Sequence, residues 1–161
     1  KKFCLLVILS VLLIGCSSNE LVAEKDLYNE YINDLNNLSE DSFSNDFPFA
    51  LNVYLEKIID EEISYRVIID NPKTTIKNIK AIAIHDYETD DIYPTIGIFD
   101  SPLHLKPDFI DKENNYVKGI VLVGYIPFVN DIENFSSSIK VLISYEQEGI
   151  NKKVFYKYKN T

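Results

Sequence analysis

The stretch Ile63-Ser64-Tyr65-Arg66-Val67-Ile68-Ile69-Asp70, preceded by Leu51-Asn52-Val53-Tyr54-Leu55-Glu56, decides the fold. Leu51, Val53 and Leu55 alternate with Asn52, Tyr54 and Glu56, and Ile63, Tyr65, Val67 and Ile69 alternate with Ser64, Arg66 and Asp70. A period of two puts alternate side chains on one face, so each run predicts a half-buried strand. The acidic turn from Asp60 to Glu62 joins them into a hairpin. Asn71-Pro72 then ends the second strand, because proline drives its predecessor out of the helical region.

Further along the chain the strand pattern continues. A strand is expected from Ile76 to His85, where the apolar set changes parity between Ile79 and Ile82, the mark of a bulge or of burial on both faces. The acidic run from Asp86 to Asp91 reads as a loop, followed by a strand from Thr95 to Phe99. Asp100 to Asn115 holds Pro102 and Pro107 and has no period, so it reads as a long loop with room for a helical turn. Val117 to Phe128 is apolar on both faces, with Ile120, Leu122 and Ile126 on one and Val121, Val123 and Tyr125 on the other. It is therefore expected to be the central strand, with Gly124 marking a bulge or a close backbone contact. A polar loop from Asn130 to Ser137 precedes Ile139, Val141, Ile143 and Tyr145. A turn from Glu146 to Asn151 leads to a last strand with Val154, Tyr156 and Tyr158 on one face and Phe155, Lys157 and Lys159 on the other.

Toward the N-terminus the period changes to that of a helix. Leu21, Tyr28, Tyr31, Ile32, Leu35 and Leu38 recur at helical spacing, so Glu20 to Ser39 is expected to be an amphipathic helix. Asn29, Asn33, Asn36 and Asn37 are middling helix formers, so the helix needs a surface. The domain is the expected one; a partner helix or a membrane interface are the others. Ser39 to Asp46 is polar and reads as a boundary. Ahead of the helix, Lys1 and Lys2 precede an uncharged run from Phe3 to Ile14, then Leu13-Ile14-Gly15-Cys16 and polar Ser17, Ser18 and Asn19. This is the charged and apolar order of an export signal. It is too short for a transmembrane helix of roughly 20 apolar residues.

Leu13 to Cys16 resembles the lipobox of bacterial lipoproteins. The resemblance implies cleavage between Gly15 and Cys16 and a diacylglyceryl thioether on Cys16, since a thiolate is the nucleophile such a transfer needs. It thus implies a signal peptide over 1–15, a lipidated tether and helix over 16–46, and a folded domain over 47–161. Two acyl chains give stable membrane anchoring where one gives only marginal binding. Losing Lys1 and Lys2 takes the formal net charge from −9 to −11. Such a surface repels phosphate backbones, and Arg66 is the only arginine, which excludes nucleic acid as a partner. It also disfavours direct electrostatic docking on anionic lipid. Cys4 lies in the signal, so the mature chain keeps Cys16 alone and can form neither an internal disulfide nor a multi-cysteine zinc site.

Short strands at intervals of about ten residues, without βαβ alternation, predict an immunoglobulin-like antiparallel β-sandwich behind one N-terminal helix. The string from Tyr65 to Asn71, with Ile76 to Ile84 and Lys118-Gly119-Ile120-Val121, resembles the small immunoglobulin-like lipoproteins of unassigned function in low-GC Gram-positive bacteria. That resemblance covers residues 48–159 and brings no catalytic residues with it.

Candidate chemical sites are few. His85, Asp86, Glu88, Asp90 and Asp91 have the residue types of a calcium loop, but counting from Asp86 the sixth position is Asp91 rather than glycine and the twelfth is Gly97 rather than glutamate. His85 and His104 supply only two of the ligands that zinc requires. His104 with Asp100 and Ser101 has the residue types of a hydrolase triad without a Gly-x-Ser-x-Gly elbow. No catalytic residue, metal or cofactor is therefore assigned. The expectation is a non-enzymatic binding or scaffolding module, lipid-anchored on the outer face of the cell membrane with an envelope protein as partner. A single-domain carrier of a small ligand or metal, and an envelope enzyme or inhibitor, are the alternatives. The partner surface is expected on the 100–115 loop, at Leu103, His104 and Phe109, where apolar groups either tuck beneath the loop or stay exposed as an anchor.

Overall fold

The computed structural model describes residues 17–59, 62–87, 95–127 and 135–160. Helix α1 (Ser17–Asn36) is followed by seven strands: β1 (Ala50–Ile59), β2 (Glu62–Asp70), β3 (Ile76–His85), β4 (Thr95–Leu105), β5 (Gly119–Pro127), β6 (Ser137–Gln147) and β7 (Ile150–Asn160). They form two antiparallel sheets, β1-β2-β5 and β4-β3-β6-β7, arranged as a sandwich. The chain is mainly β with one N-terminal helix, as its periodicities indicate. The hairpin pairs as its alternation requires, Val53 opposite Val67 and Leu55 opposite Tyr65.

The inward faces make one core. Ile63, Tyr65, Val67 and Ile69 of β2 meet Ala81 and Ala83 of β3 and Val141 and Ile143 of β6, all at most 1% exposed. Each valine or isoleucine among them contributes about 1.5–3 kcal/mol by leaving water. A second apolar cluster lies outside the four-stranded sheet, where Tyr31 and Leu35 of α1 cover Ile82, Ile84 and Leu142. The helix therefore packs on the domain. Its described part runs from Ser17, ahead of the expected Glu20, to Asn36. No helix among the described residues is long and apolar enough to cross a membrane.

Charges fasten α1 at its rim. Lys153 Nζ donates to Glu30 Oε1 (2.6 Å) and Asp34 Oδ2 (2.9 Å) and stands 5.0 Å from the Tyr31 ring centroid, while Tyr31 and Ser144 share a 2.5 Å hydroxyl contact. After the helix, Lys157 donates to Glu40, and that bond, its largest influence, holds the Glu40 carboxyl below the ordinary range.

Two expectations are corrected. The central, doubly buried strand is β3 and not the 117–128 segment: α1 covers one face of β3 and the opposite sheet the other. β5 is an edge strand with alternating burial, and its second apolar row, Val121, Val123 and Tyr125, is 42–52% exposed. The strand after residue 95 also runs past Phe99 to Leu105. Its pattern was unreadable because its register against β3 jumps from Ile98↔Ala81 to Leu103↔Ile79, placing Asp100, Ser101 and Pro102 in a bulge. The parity change in β3 has both of its expected causes. Besides double burial, Asn78 sits at φ 51° where the register shifts against both neighbours.

Candidate functional site

The segment after β4 is built by its own hydrogen bonds. Pro107 fixes one turn position and Asp108 takes the left-handed one at φ 50°, so the Phe109 N–H reaches the Lys106 carbonyl at 3.3 Å. Asp111 then caps a short 3-10 turn (Lys112–Asn114) by accepting from the N–H groups of Glu113 and Asn114 and the Asn114 side-chain amide. Those bonds, the amide's first, hold the Asp111 carboxyl below its ordinary range. Tyr116 exchanges backbone bonds with Asp111 at 2.8 and 3.0 Å, and Asn115 and Val117 bond the His104 backbone, each at 2.9 Å. The segment is thus braced to β4 at both ends.

This construction divides the predicted surface residues. Leu105 is fully buried and Leu103 packs partly buried on the inter-sheet core. His104 points across β3, its Nδ1 accepting the Asn78 N–H at 3.0 Å, and its ring lies 5.0 Å from that of Tyr116. Phe109 and Ile110 remain 39% and 56% exposed. The Phe109 ring meets Tyr116 edge-on at 5.3 Å and carries Lys106 Nζ at 4.5 Å from its centroid.

Phe109 and Ile110 form one wall of a cleft of about 470 Å3. Opposite stands the β2–β3 turn, Asp70, Asn71 and Pro72, with Asn71 at φ 47°, while Lys106, Asp108 and Lys118 place charge at the rim. Lys118, Asp108 and Asp70 form no ion pair among the described residues. An apolar wall with both signs of charge around it can hold a side chain or small molecule and orient a charged end. Sequence reasoning found Phe109 but missed Lys118 and the turn opposite. Their only linear signal was Asn71-Pro72, and topology alone brings them within reach.

The other candidates are not assembled. His104 sits near the start of β3 and His85 at its end, roughly 20 Å of strand away. His85 is buried, with its ring edge-on to Tyr65. The side chains of Asp100 and Ser101 lie outside the described residues, as do Glu88, Asp90, Asp91, Gly15 and Cys16. Among the described residues no group of three or more His, Cys, Asp or Glu is placed to hold a metal.

Asp86 instead ties the end of β3 to the start of β6. Its carboxylate accepts the Ser137 hydroxyl (2.9 Å), the Ser138 N–H (2.6 Å) and the Ser138 hydroxyl (2.5 Å). Partial burial raises its pKa, but these bonds outweigh it and leave the group below its ordinary value. A carboxyl more acidic when folded stabilises the fold above its unfolded pKa of about 3.9, and that contribution vanishes as pH falls through the folded value. Wild type should therefore lose stability between about pH 5 and pH 2 more steeply than Asp86→Asn in parallel urea titrations. Parallel curves would show that these bonds do not depend on the charge.

Compared with protein-family models, curated proteins and solved structures, the chain matches none.

Proposed function

We propose that this protein is a lipid-anchored binding module of the bacterial envelope, acylated at Cys16, with a protein partner gripped at the Phe109–Ile110 cleft. The observation that carries the reading is an exposed aromatic and aliphatic pair held rigidly at the mouth of a cleft, the arrangement typical of interface hot spots. The proposed fold is an immunoglobulin-like sandwich. Numbered as that family numbers its strands, the sheets become A-B-E and C′-C-F-G, the fourth strand joining the second sheet as C′ does in variable-type domains.

Orientation supports the same reading. Lys153 takes Glu30 and Asp34 while Lys157 takes Glu40, so α1 follows the course of β7. Its first residues therefore point to the end of the sandwich where β6 turns into β7, β2 into β3 and the cleft opens. An anchor just ahead of Ser17 would hold the cleft toward the membrane, facing partners seated there. A small anionic ligand is the second reading, favoured by Lys106 and Lys118 at the rim.

Two variants test the proposal in the native envelope. Cys16→Ser should lose acylation by mass spectrometry and leave the membrane fraction, since a hydroxyl cannot replace the thiolate; unchanged acylation would refute the anchor. Phe109→Ala should stay within about 1 kcal/mol of wild type, against about 3–5 for a fully buried phenylalanine, while losing the protein that co-purifies with wild type. Co-purification unaffected by Phe109→Ala would refute the cleft as the partner's seat.

A further inference from the structure

The four sheet edges are unequal. β7 carries Lys152, Lys153, Lys157 and Lys159, β4 carries Pro102 within its bulge, and β1 carries Glu56 and Lys57 where its register breaks before Ile59. Lysines, prolines and bulges are the devices by which native sheets prevent edge pairing. β5 has only Pro127, at its last position. From Gly119 to Ile126 it contains no charged residue and no interior proline, and it pairs with β2 in unbroken register from Asp70↔Gly119 to Glu62↔Pro127. Among the described residues no backbone bond reaches its other edge, since those from β4 stop at Asn115 and Val117.

We infer that β5 is a self-pairing edge: a second copy of this chain adds its own β5 antiparallel, about a two-fold axis through Val123, joining two three-stranded sheets into one of six. The strand's pattern selects that occupant. Val123 is the midpoint of Gly119–Pro127, and pairing about it sets exposed Val121 of each copy opposite exposed Tyr125 of the other. Aromatic and β-branched residues are favourable cross-strand partners, and the contact is self-complementary, as a two-fold interface must be. Charge agrees. Two chains of net charge −9 repel over most of their surfaces, whereas β5 is uncharged and Arg66, the one cation among the described residues of the adjoining face, is already paired with Glu56 at 3.1 Å. Leu122 would stand opposite Gly124, which leaves it room.

The full chain in mild detergent should sediment as a dimer, and Val123→Lys as a monomer with an unchanged circular dichroism spectrum. Position is tested by Val123→Cys in a chain whose Cys4 and Cys16 are serine. The axis sets residue 123 opposite itself at a Cα separation of about 4.5–5.5 Å, within disulfide reach. Mild oxidation should then link it into a dimer, and leave Ile150→Cys, more exposed still and on β7, as a monomer. A monomeric wild type overturns the inference, as does a dimer that survives Val123→Lys. Equal cross-linking at both cysteines would also overturn it.

Discussion

Gly124→Val is expected to abolish the cooperative unfolding transition of this protein. Gly124 faces inward on β5, directly opposite Tyr65 of β2, and the tyrosine ring lies across the glycine backbone. A Cβ at 124 would fall within 2.6 Å of three Tyr65 side-chain atoms, Cζ, Oη and Cε1. The ring cannot retreat. It is 1% exposed, among the largest fully buried side chains, with the His85 ring edge-on at 6.0 Å. Overpacking of a tight core costs about 1–3 kcal/mol and occasionally more, and here even the first methyl meets ring carbon at impossible range. Valine adds two more. Tyr65→Leu separates this cause from simple loss of strand flexibility: Gly124→Ala should cost much less in that background than in wild type, a coupling read by a double-mutant cycle in urea. Equal costs in the two backgrounds would mean that the ring is not what excludes the side chain.

The second large effect is expected at the helix. Leu35 is fully buried between α1 and the outer face of the four-stranded sheet, in one cluster with Tyr31, Ile82, Ile84 and Leu142. Leu35→Ala should lower stability by about 2–5 kcal/mol, the range for deleting a buried leucine. That is a large part of the 5–15 kcal/mol typical of a domain. Asn29→Ala, on the exposed face, should be neutral or slightly stabilising, alanine being the better helix former. A Leu35→Ala midpoint close to wild type would show that α1 rests on the sheet without stabilising it.

What could be read from the residues follows from what periodicity measures. The β1–β2 hairpin was legible because its apolar row faces the core and, buried Ser64 apart, its polar row lies toward water, so pattern and burial largely coincide. β5 misled because Val121, Val123 and Tyr125 are apolar yet exposed; a pattern reports side-chain type, and an uncovered apolar row reads the same as a covered one. The long β4 was hidden by its bulge at Asp100 to Pro102, which breaks the period within a continuous strand. Of the cleft, Phe109 and Ile110 were visible as apolar residues in an irregular stretch. Lys118 and the Asp70–Pro72 turn were not, because only the crossing of chain between sheets brings them together. The tie from Asp86 to Ser137 and Ser138 had no linear sign beyond a run of three serines.

The seating of α1 has a mechanical consequence. Tension applied to the chain ahead of Ser17 reaches the helix and its salt links to Lys153 before it reaches any strand ladder. The helix is therefore the first element to yield. Its 20 residues span about 30 Å when coiled and about 70 Å when drawn out, so a chain held ahead of Ser17 would lengthen by some 40 Å while both sheets stay intact. Slackening lets Tyr31 and Leu35 settle back over β3 and shorten it again. In a chain held ahead of Ser17, the segment that shields the outer sheet would thus also serve as a recoiling spacer.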